Sequence, residues 1–126
     1  MATFMEINRR LLGNVRDEPK QMLKPITQYN LEPIVTLEEA CKPLEKILDS
    51  ELRQNIIIAK MNSKNGTDNL TQDESGSIHL YTMEWDIREN SLYIILNNTL
   101  RQADRTKLHP WFRYLKLLLT AFFKLP

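Results

Sequence analysis

Residues 70–85, LTQDESGSIHLYTMEW, set Asp73, Glu74, Ser75, Ser77, His79, Tyr81, Glu84 and Trp85 within sixteen positions. Ser75 and His79 are four apart, so on a helix they share a face and can touch. A serine beside a histidine is the start of a hydrolase: the imidazole takes the hydroxyl proton, and a third group orients the imidazole. The third group is missing. Asp86 lies on the same face but about 10 Å along the axis from His79, at the rise of a helix. That is beyond a hydrogen bond, so neither Ser75 nor His79 is assigned a catalytic role.

The same stretch reads more simply as a helix start. Thr71 is a favoured N-cap, and Glu74, three residues on, completes the Thr-x-x-Glu capping box. Asp73 and Glu74 fall in the first turn, where carboxylates face the positive end of the helix dipole. Ile78, Tyr81 and Trp85 recur at i, i+3 and i+7, the spacing of a core face. Gly76 costs about 1 kcal/mol of helix stability against alanine, which suggests close packing by a neighbour.

Other chemistry is excluded on composition or spacing. His79 and His109 lack a third ligand or a nearby cysteine, so no metal site is assigned. Cys41 is the single cysteine, which rules out an internal disulfide or a thiolate cluster. It sits on an apolar stripe and reads as a small core residue. There is no P-loop, dinucleotide fingerprint, His-Glu-x-x-His or calcium loop. With 3 glycines and a net charge of +1 of mixed signs, neither a glycine-rich phosphate cradle nor a nucleic-acid surface is expected. The sequons at Asn65, Asn69 and Asn97 are common tripeptides and carry no assignment. No apolar leader opens the chain, so the cytoplasm is the expected compartment, and no segment is long and uncharged enough to be a transmembrane helix.

The 126 residues set the expectation of one domain with one core. Residues 1–35 are weakly patterned. The spacing allows a short helix around EINRRLLGNV, and 16–35, with Pro19, Pro25 and Pro33, predicts a mostly extended arm lying over the rest. The helical domain is expected over 36–126. Thr36 and Glu39 form a first Thr-x-x-Glu start, with Pro43 breaking the helix that follows. ELRQNIIIAKMN (51–62) predicts a second helix and NSKNGTDN a loop. Ser91 caps SLYIILNNTLRQA, whose Leu92, Ile95, Leu96, Thr99 and Leu100 share one face. In 110–125 the polar residues Arg113, Lys116, Thr120 and Lys124 form one narrow strip, and the rest is apolar. A helix apolar nearly all round is buried, either at the centre of a bundle or beneath something further. The fold class is therefore all-α, a small bundle of four to five helices with an extended N-terminal arm.

The order of these segments resembles the N-terminal helical part of the arginine-specific mono-ADP-ribosyltransferases. The matching residues are Tyr81-Thr82; then Tyr93, Asn97, Leu100 and Arg101; then Trp111, Tyr114, Leu115, Leu117, Leu118 and Ala121. The resemblance covers roughly 30–126. It implies a glycosyltransferase that moves ADP-ribose from NAD(P) to arginine side chains, with a helical lobe preceding an NAD-binding β domain. In that family the work is done by an arginine, a serine on a strand and a Glu-x-Glu turn. This sequence has no Glu-x-Glu and no Arg-Gly, and Ser75-Gly76-Ser77 stands upstream of the family's serine motif. No catalytic, cofactor-binding or metal residue is therefore carried over. The chain alone is expected to bind no cofactor, with NAD(P) the substrate of the full-length family. The hydrophobic end, AFFKLP, leads to the expectation that a catalytic β domain follows, docked on the surface of helix 110–125. The alternative is a stand-alone helical module that binds another protein through that surface.

Overall fold

The computed structural model describes residues 27–63, 69–102 and 104–125. The expected helix around EINRRLLGNV, most of the expected arm and the centre of the loop after residue 62 lie outside those residues. Among the described residues every regular element is a helix, as the pattern predicts. Five α-helices are described, α1 (Leu37–Cys41), α2 (Glu51–Asn62), α3 (Gln72–Thr82), α4 (Leu92–Leu100) and α5 (Phe112–Lys124), with short 3-10 turns before α1 and between all neighbours but α2 and α3.

The helix starts follow the side chains. Thr36 accepts the Glu39 amide at 3.2 Å, but the Glu39 carboxylate pairs with Lys42 at 3.2 Å. The Glu39 carboxylate thus serves a surface ion pair. Pro43 ends the first helix as expected: α1 stops at Cys41 and the chain continues as a 3-10 turn, Lys42–Lys46. At α3 the box is complete. The Thr71 hydroxyl accepts the Glu74 amide at 3.1 Å, and the Glu74 carboxylate accepts the Thr71 amide at 2.9 Å. Ser91 caps α4 by accepting the Ile94 amide at 3.3 Å.

Two helices form the centre. In α3, Gly76, Ser77, Ile78, Leu80 and Tyr81 are all buried, more of its circumference than its i, i+3, i+7 stripe predicts. In α5, Tyr114, Leu115, Leu117, Leu118, Leu119, Ala121 and Phe122 are buried. α3 packs against both α2 and α5, and α1 packs on α5. The polar strip of α5 faces outward: Arg113 and Lys124 are exposed and Lys116 and Thr120 half-buried.

Two expectations change here. Residues 27–31 form a 3-10 turn (Thr27–Leu31) lying on α5, where an extended arm was expected. The apolar surface expected to await a partner on helix 110–125 is largely occupied from within the chain. α1, α3 and the 27–31 turn cover it, leaving Phe123, at 50% exposure, as its one large exposed hydrophobic residue.

Candidate functional site

Most of the residues singled out for chemistry lie on α3. The first turn is a junction. Asp73 Oδ1 accepts the Leu37 amide at 2.9 Å and lies 3.0 Å from Lys60 Nζ. Lys60 also donates to Glu38 at 3.0 and 3.1 Å. One carboxylate thus ties the start of α1 to the end of α2. Burial disfavours the Lys60 charge, but the hydrogen bonds to Asp73 and Glu38 outweigh it and raise the ammonium pKa above its ordinary value. Glu74, next in sequence, is buried and lies 2.8 Å from Lys124 at the far end of α5. Its burial pushes the carboxyl up. The bonds from Lys124 and the Thr71 amide prevail and hold its pKa below the usual carboxylate range. Both acids are engaged in holding helices together.

One turn on, Gly76 is buried, and a Cβ there would meet Leu37 Cδ2 at 3.2 Å and Lys60 Cγ at 3.5 Å. The glycine permits the close approach that its position in a helix suggested. Ser77 Oγ donates to the Glu74 carbonyl at 2.7 Å, a local bond inside the helix. Ser75 and His79 are both half-buried. No hydrogen bond joins them among the described residues. His79 Nε2 instead lies 3.1 Å from Asn62 Nδ2 of α2. Asp86 is beyond the end of α3, and its amide donates to the Glu51 carboxylate at 3.1 and 3.3 Å. The serine, histidine and aspartate are not assembled into a nucleophilic relay.

Cys41 is buried. Burial, reinforced by the carboxylates of Glu38 and Glu45, pushes its thiol far above its ordinary pKa. It stays protonated at neutral pH and is no nucleophile. Among the described residues no group of three or more His, Cys, Asp or Glu side chains is placed to hold a metal, and no helix is long and apolar enough to cross a membrane.

Several of the residues matched above contact one another, while Arg101 is exposed and Thr82 half-buried. Asn97 Nδ2 donates to Tyr81 Oη at 3.1 Å and to the Tyr93 carbonyl at 2.7 Å. The rings of Tyr81 and Tyr93 stand 5.1 Å apart. Tyr114 Oη donates to the Ser77 carbonyl at 2.7 Å, and the rings of Trp111 and Tyr114 meet edge-on at 6.4 Å. Tyr81, Asn97, Trp111 and Tyr114 are buried, and Tyr93 is half-buried against the same core. Asn97 stands among three consecutive polar residues, Asn97-Asn98-Thr99, and was marked only through the resemblance. The Tyr114–Ser77 bond had no signal, because a backbone acceptor has no sequence signature. Among the described residues Asn55 Nδ2 and Trp85 Nε1 are buried donors with no hydrogen-bond partner. No family model, curated protein or solved structure matches the chain.

Proposed function

We propose that this chain is the helical lobe of an NAD(P)-dependent protein-arginine ADP-ribosyltransferase, and that its contribution is architectural. The supporting observation is the convergence of the resemblance. Tyr81, Tyr93 and Asn97 contact one another, Trp111 and Tyr114 do the same, and Tyr114 also bonds the helix that bears Tyr81. A lobe of this kind holds a neighbouring sheet in place, while the arginine, serine and Glu-x-Glu turn that bind NAD and activate the acceptor belong to another part of the protein.

The polar groups of α3 fit that division of labour. Asp73, Glu74 and Ser77 are engaged in caps, ion pairs and helix bonds. A carboxylate that stabilises a developing oxocarbenium ion has to face substrate. Neither acid does so while holding Lys60 and Lys124. The chain alone is therefore expected to transfer no ADP-ribose from labelled NAD to arginine. Replacing the helical lobe of an active family member by residues 30–126 is expected to give a chimera that does transfer it. A chimera that folds, by circular dichroism, yet labels no arginine contradicts the proposal.

A second reading has its own observation. Ile57 and Met61 are 60% and 67% exposed, four residues apart on the outer face of α2. Two neighbouring apolar side chains on a free helix face suit a stand-alone module that binds another protein.

A further inference from the structure

We draw no further inference here: the strongest candidate, the outer face of α2 on which Ile57 and Met61 are 60% and 67% exposed, is an apolar patch, and nothing in the structure shows what covers it.

Discussion

Tyr114 on α5 donates its hydroxyl to the carbonyl of Ser77 on α3, 2.7 Å away and 37 residues earlier in the chain. Both residues are fully buried, and burial pushes the Tyr114 phenol well above its ordinary pKa, so the donor stays protonated. The bond ties the first turn of α5 to the middle of α3. Tyr114→Phe keeps the ring and its packing and removes the donor. It is expected to lower stability by about 1 kcal/mol, the usual net worth of one hydrogen bond. Urea unfolding checks this, and an unchanged midpoint would show that the bond is dispensable.

Stability should fall in acid through Glu74. Its pKa is lower in the folded chain than its ordinary value. A carboxylate shifted in that direction stabilises the fold above its unfolded pKa, and the contribution disappears as pH falls through the folded pKa. Glu74→Gln keeps an acceptor at the N3 position of the capping box and removes the charge facing Lys124. It should cost about 1 kcal/mol at neutral pH, a modest value because Lys124 is 41% exposed and screened by water. At pH values below the folded pKa the variant and the parent should converge. Parallel stability curves across the whole range would show that Glu74 does not titrate with folding.

Gly76→Ala sets two effects against each other. Alanine favours a helix by about 1 kcal/mol over glycine. The added Cβ meets Leu37 Cδ2 at 3.2 Å, and Leu37 is fully buried with little room to move. Overpacking a core costs about 1–3 kcal/mol, so a net loss of about 1 kcal/mol is expected. Gly76→Val, which adds more volume and a β-branch, should cost more. A stabilised Gly76→Ala chain would mean that α1 yields easily at this contact.

Ser75→Ala and His79→Ala should be nearly silent. Both side chains are half-buried, and the contact of His79 is with Asn62 at 3.1 Å. Stability changes within about 0.5 kcal/mol are expected, as at ordinary surface positions. Thermal unfolding checks this. A hydrolase screen in which either substitution abolishes a measurable activity would reinstate the pair as a site.

Much of this fold was legible because its helix boundaries are written in local chemistry. Thr71 with Glu74, Ser91 and Pro43 mark two starts and one stop, and each acts within a few residues of itself. The apolar stripes of α4 and α5 told which faces turn inward, since they follow the helical repeat. Tertiary choices were not legible. Thr36 with Glu39 has the same form as Thr71 with Glu74, yet only the second completes its box, because the Glu39 carboxylate is engaged by Lys42. Asp73 read as a dipole partner and proved to be the link between α1 and α2, which depends on where Leu37 and Lys60 arrive. That the arm lies over the rest was expected, but its seat on α5 was not legible for the same reason: Asn30 of the 27–31 turn meets Lys116, with |i−j| of 86.

The most direct measurement is arginine labelling from labelled NAD by a chimera in which residues 30–126 replace the helical lobe of an active protein-arginine ADP-ribosyltransferase. Labelling is expected if the proposed role as a helical lobe holds. A chimera that folds, by circular dichroism, yet labels no arginine contradicts it and favours the stand-alone module.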